Sequence, residues 1–194
     1  MGYETMEYES ALSDQLSRSI AAVEALPSVF PDILAAADLM VSTLKAGGKV
    51  LTAGNGGSAA EAMHMAEELS GRYKHNRRSL PGIALTADGT AMTCIGNDFG
   101  FDEVFARQVE GLGAKGDLLV LFSTSGKAKN LSRALEVAHG KGMRVLGLLG
   151  RDGGPMHGLP DVEIIAPGAA TENIQEAHQV ILHLLLEAVE QSFQ

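Results

Sequence analysis

The chain has 194 residues, of which 45% are hydrophobic and 20% are charged. This length and composition predict one folded domain with a substantial core, and they exclude a disordered chain. A formal net charge of −9 argues against a broad basic face for nucleic acid. Cys94 is the only cysteine, which excludes an internal disulfide and favours a reducing compartment, and we expect its thiol to pack in the core.

The first residues of the chain, M-G-Y-E-T-M-E-Y-E-S, are acidic and lack the charged-then-apolar layout of a signal peptide. No uninterrupted apolar run approaches the roughly 18 residues that cross a bilayer. We therefore expect a soluble, cytoplasmic protein that acts without a membrane or nucleic acid.

Apolar residues recur at helical spacing over residues 11–26 and again over 30–44. Pro27 ends the first of these segments, and a Gly-Gly pair follows the second. We predict an N-terminal helical extension over 1–48 that belongs to a single domain covering 1–194.

Short apolar runs then alternate with helix-like segments. The predicted strands are 50–53, 83–86, 118–122, 145–149 and 162–165. The predicted helices are 58–72, a short one at 91–95, 101–112, 129–141 and a long C-terminal one at 173–191. This alternation predicts an α/β fold, a three-layer α-β-α sandwich around a five-stranded parallel sheet. We expect the strand order 2-1-3-4-5, in which the first and third strands are neighbours at the switch point where such folds bind ligands.

A glycine-rich loop follows the first predicted strand, within V-L-T-A-G-N-G-G-S-A-A-E-A-M-H-M-A-E-E-L-S-G-R at 50–72. Ser58 stands at the capping position of the next helix, and the glycines let backbone N–H groups close around an anion at the positive end of the helix dipole. His64 and Glu68 share one face of that helix and could move protons or bind a metal. The alternative is an ordinary tight turn followed by two surface side chains.

A hydroxyl-rich loop follows the third predicted strand, in L-L-V-L-F-S-T-S-G-K-A-K-N at 118–130. Its three hydroxyls, its glycine and the two nearby lysines suit a phosphate monoester, whereas the nucleotide P-loop and the dinucleotide fingerprint are absent. The alternative is a turn that merely caps the next helix. In the expected strand order, this loop and the glycine-rich loop face a single crevice.

The only basic cluster of the sequence is K-H-N-R-R at 74–78. A charged loop of this kind is usually solvated, and we expect that here. The alternative is that this cluster and Arg72 lean toward an anionic ligand.

Four motifs form an ordered set along the chain: A-G-N-G-G-S, G-N-D at 96–98, S-T-S-G-K and I-Q-E-A-H at 174–178. Together they resemble the sugar isomerase (SIS) superfamily and, within it, the phosphoheptose isomerases. The resemblance implies a homotetramer with active sites between subunits. It also implies conversion of sedoheptulose 7-phosphate to D-glycero-D-manno-heptose 7-phosphate, an early step towards ADP-heptose and the lipopolysaccharide core.

The resemblance further implies roles for individual residues. Glu68 is similar to the catalytic base and His183 to the catalytic acid. Zinc, one ion per subunit, is implied at His64, Glu68, Gln175 and His183. The expected substrate-binding residues, among which Arg72 is included for its charge, are Asn55, Gly56, Gly57, Ser58, Glu68, Arg72, Asn97, Asp98, Ser123, Thr124, Ser125 and Gln175.

Ala128 departs from the family pattern, because many relatives have a serine there that also contacts the phosphate. One hydrogen bond to the anion should therefore be missing. The loss is about 1 to 3 kcal/mol unless Lys127 or water replaces the bond.

The implied zinc set raises a geometric question. Gln175 and His183 are eight residues apart, so on an ideal helix they differ by about 80° and about 12 Å of rise. Spacing alone favours Gln179 as the partner of His183, whereas the resemblance favours Gln175. The role of zinc is also open, because a carboxylate bound to zinc is a poorer base.

Ketose–aldose isomerisation needs a base that carries a proton between C1 and C2 and an acid that carries one between O1 and O2. A carboxylate and an imidazole suit these tasks. Two other functions are considered: a non-catalytic SIS-domain protein that binds a replication initiator or another protein, and an isomerase or sensor of a different sugar phosphate. The presence of both Glu68 and His183, together with the intact S-T-S-G, counts against the non-catalytic protein. Sensors usually carry an added DNA-binding module and some isomerases a regulatory tail, and we expect no room for either in this chain.

Overall fold

A computed structural model describes the backbone of residues 4–194 and the side chains from residue 8 onward. Residues 1–3, which belong to the predicted 1–48 extension and 1–194 domain, lie outside the described residues. The acidic stretch at residues 1–10 therefore also lies partly outside the described residues.

The described residues contain a five-stranded sheet in which every neighbouring pair of strands is parallel. The strands are β1 Val50–Gly54, β2 Gly82–Ala84, β3 Leu118–Ser123, β4 Arg144–Gly150 and β5 Val162–Ala166. Their order is β2-β1-β3-β4-β5, which confirms the predicted 2-1-3-4-5 topology. Because β1 pairs with β3 from Val50 opposite Leu118 to Gly54 opposite Phe122, the loops that follow these two strands leave the sheet side by side.

Seven α-helices flank the sheet in the described part of the chain. They are α1 Glu4–Glu24, α2 Phe30–Lys45, α3 Gly57–Ser70, α4 Gly89–Phe99, α5 Ala106–Leu112, α6 Lys129–Gly140 and α7 Thr171–Ser192. Alternate residues of a strand point to opposite faces of a sheet. Accordingly, Val120 packs with α2, α3 and α7 on one face, and Leu119 packs with α5 and α6 on the other. This confirms the three-layer α/β sandwich with a long C-terminal helix.

Some predicted boundaries differ from those observed. β2 ends at Ala84 instead of continuing to residue 86, because the chain turns there and the N–H of Ala87 donates to the carbonyl oxygen of Ala84 at 3.2 Å. The helix predicted at 91–95 is longer, since Asp88 caps α4 by accepting bonds from the N–H groups of Thr90 and Ala91.

The predicted helix at 101–112 is interrupted. A 3₁₀ turn at Phe101–Glu103 precedes α5, which begins at Ala106. The apolar periodicity placed the segment correctly in the sequence but did not distinguish a tight turn from α-helix.

The expectation that Cys94 packs in the core is wrong. The cysteine is exposed on α4, and its sulfur lies 3.7 Å from Asp98 Oδ2. No residue of α4 is fully buried; only Met92 and Ile95 pack partly against the core. Cys94 therefore lies on the outward face of a helix that rests loosely on the domain.

One helical stretch among the described residues, Tyr8–Lys45, includes a window long and apolar enough to cross a membrane, with a mean hydropathy of 1.5. This stretch joins α1 to α2 through a 3₁₀ turn at Leu26–Val29. The window passes on its mean hydropathy, although polar residues interrupt the apolar runs within it. Only 28% of the window is buried. Such a helix is weak evidence for a membrane span, because core helices of soluble proteins pass the same test.

Candidate active site

The glycine-rich and hydroxyl-rich loops open into one cavity of about 300 Å³. Its lining includes Asn55, Gly56, Gly57, Ser58, Ser123, Thr124, Ser125, Ala128, Thr171 and Gln175. This confirms the expectation that the two loops face a single crevice. The lining offers hydroxyl, amide and backbone donors, which is the chemistry that a phosphate ester needs.

α7 begins at this cavity without a side-chain cap, and two further helices do the same. Gly56 precedes α3 with a φ of +59°, a conformation that suits glycine, and Ala128 precedes α6. The prediction that Ser58 caps α3 is wrong, because Ser58 is buried inside the first turn. The positive ends of these helix dipoles are therefore left for an anionic ligand.

A reciprocal amide pair ties the two loops together. Asn55 Nδ2 donates to Asn130 Oδ1 at 3.0 Å, and Asn130 Nδ2 donates back to Asn55 Oδ1 at 2.9 Å. Asn130 is buried, and the sequence reasoning did not identify it. The sequence holds no signal for it, because both the burial of Asn130 and its partner 75 residues away are visible only in the fold.

The hydroxyl-rich loop is also shaped from within. Ser123 Oγ accepts a bond from the N–H of Gly126 at 3.0 Å. Gly126 has a φ of +60°, and a Cβ there would lie 1.7 Å from Gly153 O. Both features require glycine at this position and hold the loop open toward the cavity.

A second group of polar side chains lies farther along α3 and α7. His64 Nε2 is 3.2 Å from Glu68 Oε1, and the rings of His64 and His183 meet edge to face with centroids 5.3 Å apart. Tyr73 stacks on His183 at 5.9 Å. The structure thus brings the predicted base Glu68 and the predicted acid His183 together with His64, and we call these three residues the cluster.

Burial lowers the pKa of His183 below its ordinary value, and neighbouring His64 adds to this effect while Glu68 opposes it. The imidazole of His183 is therefore neutral near pH 7 and able to accept or return a proton. Glu68 Oε2 is buried and has no hydrogen-bond partner. An unpaired buried carboxylate oxygen is costly, so this atom is available to a ligand.

The cavity and the cluster lie along the same two helices. On α7, Gln175 packs against the glycine-rich loop, since a Cβ on Gly57 would lie 2.4 Å from Gln175 Nε2. His183 follows two turns later, about 12 Å along the axis. Helical side chains tilt toward the N-terminus of their helix, which on both α3 and α7 is the end at the cavity. One end of the site can hold an anion while the other moves protons.

The fold and much of the sequence are shared with known proteins. The SIS domain family profile matches residues 13–150. A phosphoheptose isomerase from Aliarcobacter butzleri is 52% identical over 155 residues, which is 80% of this chain and 82% of that protein. The structure of phosphoheptose isomerase GmhA from Neisseria gonorrhoeae superposes with a TM-score of 0.89 at 39% identity, covering 95% of this chain and 99% of that one. The chain belongs to the phosphoheptose isomerase family of SIS domain proteins.

Other members of the family are similar over nearly the whole chain. A phosphoheptose isomerase from Helicobacter hepaticus is 44% identical over 182 residues, which is 94% of this chain and 93% of that protein. The structure of a phosphoheptose isomerase from Francisella tularensis has a TM-score of 0.91 at 38% identity, covering 95% of this chain and 98% of that one. The likeness therefore extends over nearly the whole length of the chain.

The donor set of the cluster suits the zinc ion that the family resemblance implies. Two imidazoles and a carboxylate are typical zinc ligands, and the unpartnered Glu68 Oε2 is a donor without other use. His64, Glu67 and Glu68 each place a ligand atom within 4.8 Å of the others. The amide next to the two rings is that of Gln179, whereas Gln175 lies one turn nearer the cavity.

Besides Glu68, which lies in the cluster, three predicted substrate-binding residues lie outside the cavity within the described chain. Arg72 is exposed beyond the end of α3, and Asn97 and Asp98 are exposed on α4. Asn97 Nδ2 donates to Asp98 Oδ1 at 2.7 Å. None of these three residues lines the cavity of its own chain.

The prediction of a solvated basic loop is wrong for Arg77. Its side chain is 2% exposed and pairs with Glu190, which is 1% exposed, at 3.0 Å. Arg77 also donates to the carbonyl oxygens of Glu68 and Leu69 at the end of α3, at 2.7 and 3.0 Å. The sequence reasoning missed this contact, which fastens the turn of α3 that carries Glu68 to α7.

Proposed function

We propose that the protein is an aldose–ketose isomerase that converts D-sedoheptulose 7-phosphate to D-glycero-D-manno-heptose 7-phosphate. One observation carries the proposal: the cavity of about 300 Å³, which is lined by uncapped helix N-termini, lies along α3 and α7, the two helices that carry Glu68 and His183. The names of the relatives support a heptose phosphate as the substrate. A sugar phosphate fits this arrangement with its phosphate in the cavity and its carbonyl end at the cluster.

The proposed reaction passes through an enediol. Glu68 takes a proton from C1 of the ketose and returns it to C2, while His183 carries a proton from O1 to O2, so that no proton is gained or lost overall. The neutral imidazole of His183 can perform both halves of its transfer. Holding the phosphate in the cavity fixes C1 and C2 next to these groups and supplies much of the rate by positioning.

Zinc is part of the proposal, held by His64, Glu68 and His183 with an amide from α7. When bound, it polarises the carbonyl as a Lewis acid. The chain's own groups still provide the proton transfers and the grip on the phosphate. Gln175 is proposed as a substrate and zinc contact, in line with the family resemblance.

A homotetramer with active sites between subunits is also proposed. Its support is an apolar stripe on α1 that the monomer leaves uncovered, formed by Leu12, Leu16, Ile20 and Val23. An apolar groove of about 500 Å³ runs between α1 and α7. A neighbouring subunit that covers these surfaces could also bring Arg72, Asn97 and Asp98 to a cavity.

The reaction needs neither nucleic acid nor a membrane, and a cytoplasmic setting is proposed because the single cysteine is exposed and free. The product would enter ADP-heptose synthesis for the lipopolysaccharide core. This placement depends on the substrate proposed above.

The test is to incubate the purified protein with sedoheptulose 7-phosphate and follow the aldose by NMR. Wild-type protein should form the aldose, and Glu68→Gln should lower kcat by roughly 10²- to 10⁴-fold, because it removes the general base. Glu110→Gln, a change at an exposed position on α5, is the matched control and should leave kcat unaltered. Absence of turnover in wild type, or full turnover in Glu68→Gln, rules out the proposal.

A further inference from the structure

Asn130 lies in the first turn of α6, where it is 2% exposed and does not line the cavity. Its amide and that of Asn55 form a closed ring of two hydrogen bonds, in which each side chain donates once and accepts once. Among the described residues, these two bonds are the ones that join the glycine-rich loop to the segment that follows β3. Asn130 thus links the two walls of the cavity without facing the ligand space itself.

The hydroxyl-rich loop is also supported from its other side. A Cβ on Gly126 would lie 1.7 Å from Gly153 O, and a Cβ on Gly154 would lie 2.4 Å from Ser125 O. The loop therefore rests backbone against backbone on the segment that follows β4 and has no room to move in that direction. Beyond the end of the β1–β3 ladder, its distance from the glycine-rich loop depends on the amide pair.

The pair also changes the role expected for the side chain of Asn55, which was predicted to bind substrate. An asparagine amide has two N–H donors and an oxygen with two lone pairs. Asn130 takes one donor and one lone pair of Asn55. Turning Asn55 toward a ligand would leave the buried amide of Asn130 without a partner, at the full desolvation cost of that group. The side chain of Asn55 is therefore committed to Asn130, and the backbone N–H groups of its loop remain for the anion.

We propose that Asn130 is a positioning residue for the phosphate. Paired with Asn55, it keeps the glycine-rich loop and the start of α6 at the separation at which N–H groups from both meet one anion. The inference deepens the proposed isomerase function and rests on its assignment of the cavity to the phosphate of the substrate. Asn130 touches no substrate; it acts through Asn55 and through the turn that it belongs to. Two neutral amides suit this task, because a charged pair beside the anion would add a repulsive carboxylate.

The test is a double-mutant cycle in which the full-length protein is titrated calorimetrically with inorganic phosphate. Asn130→Ala should weaken phosphate binding by roughly 5- to 50-fold, and Asn55→Ala should do the same. The double variant should bind no more weakly than the weaker single variant, because either substitution already breaks the pair. Glu136→Gln, at an exposed position of α6, is the control and should keep the wild-type Kd. A wild-type Kd in Asn130→Ala, or losses that simply add, would overturn the proposal.

A second variant, Asn130→Leu, guards against a folding defect in the alanine variant. Leucine fills the space of the amide but cannot bond to Asn55, so it should lose phosphate affinity to a similar extent. If the pair only stabilised the fold, both variants would have a lower Tm and the folded protein would keep the wild-type Kd for phosphate. That result would contradict a positioning role.

Kinetics separate this inference from the proposed function. With sedoheptulose 7-phosphate, Asn130→Ala should raise KM by a factor similar to the loss of phosphate affinity and change kcat little, because the grip on the phosphate is made in the ground state as well as in the transition state. A lower kcat with unchanged KM would contradict the proposal. If wild type binds phosphate but shows no turnover, the proposed isomerase fails, while the binding cycle still decides the role of Asn130.

Discussion

Ala128 lies at the end of the hydroxyl-rich loop and brings no hydrogen-bonding side-chain atom to the cavity. It lines the cavity and stands immediately before α6, with extended backbone angles that suit a capping residue. A serine at this position could use its oxygen to accept from a first-turn N–H of α6 and its hydrogen to donate to a phosphate. The two effects would be additive because they use different atoms.

Ala128→Ser should therefore change both ligand affinity and stability. The added hydrogen bond should strengthen the binding of inorganic phosphate by about 1 kcal/mol, which is roughly a fivefold lower Kd. The new cap should add about 1 kcal/mol of stability and raise Tm by roughly 2–4 °C. Calorimetric titration and thermal unfolding measure these effects. Ala128→Val, which adds bulk without a donor, should produce neither gain, and a Tm increase without tighter phosphate would place residue 128 outside the anion site.

At the scale of secondary-structure elements, the loop between α3 and β2 is bound to α7 through Glu190, and we call this set of contacts the clamp. Arg77 and Glu190 are both buried and paired, and the N–H of His75 also donates to Glu190. Burial alone would raise the pKa of Glu190, but the bonds from His75 and Arg77 outweigh it and hold the pKa below its ordinary value. Since Arg77 caps the turn that carries Glu68, this clamp sets α3 against α7.

The clamp predicts a pH-dependent loss of stability in Glu190→Gln. The folded-state pKa of Glu190 lies below its unfolded value, so its charge stabilises the protein fully above about pH 4.3, and this contribution is lost as pH falls through the folded-state pKa. At pH 7 the variant leaves Arg77 buried without a counter-charge and should lose about 3 kcal/mol.

Urea unfolding at pH 7 and at pH 3.5 measures this difference. The difference in free energy of unfolding between wild type and Glu190→Gln should be smaller at pH 3.5, because wild type has begun to lose the same charge. Glu187 also lies on α7, and its exposed side chain pairs with Lys74. Glu187→Gln should cause no measurable loss of stability at either pH. An equal gap at both pH values would contradict an ionised Glu190 in the folded state.

At the scale of the whole molecule, the apolar stripe on α1 is exposed on the surface of the described chain. Leu12 and Leu16 are 70% and 61% exposed. Burying such side chains stabilises an interface by about 1.5–3 kcal/mol each, so a stripe of four is enough to support association.

The double variant Leu16→Glu, Ile20→Glu should therefore dissociate the proposed tetramer, because it places charges in the interface. Light scattering after size exclusion should show a smaller mass, and turnover should fall if the sites are shared between subunits. Asp14→Asn on the exposed side of α1 is the control and should keep the wild-type mass. A monomeric wild-type protein at micromolar concentration would contradict the tetramer.

The sequence predicted the sheet order and the meeting of the two loops because both follow from local patterns: short apolar runs, glycine and hydroxyl punctuation, and parallel connectivity. It did not predict the pairs that hold the site together. Asn130 meets Asn55 across 75 residues, and Arg77 meets Glu190 across 113. A single side chain carries no record of such a distant partner. Spacing could favour Gln179 as the partner of His183. For the same reason as above, it could not predict that Gln179 lies between two rings on different helices.

The central claim is that the cavity grips a phosphate so that the far end of the sugar meets Glu68 and His183. The most direct test is to compare kcat/KM for sedoheptulose 7-phosphate with that for unphosphorylated sedoheptulose. The account predicts turnover of the phosphate ester and a loss of at least roughly 10³-fold for the free sugar, because remote binding energy positions the reacting carbons. Equal turnover of the two sugars, or none of the phosphate ester, would contradict it.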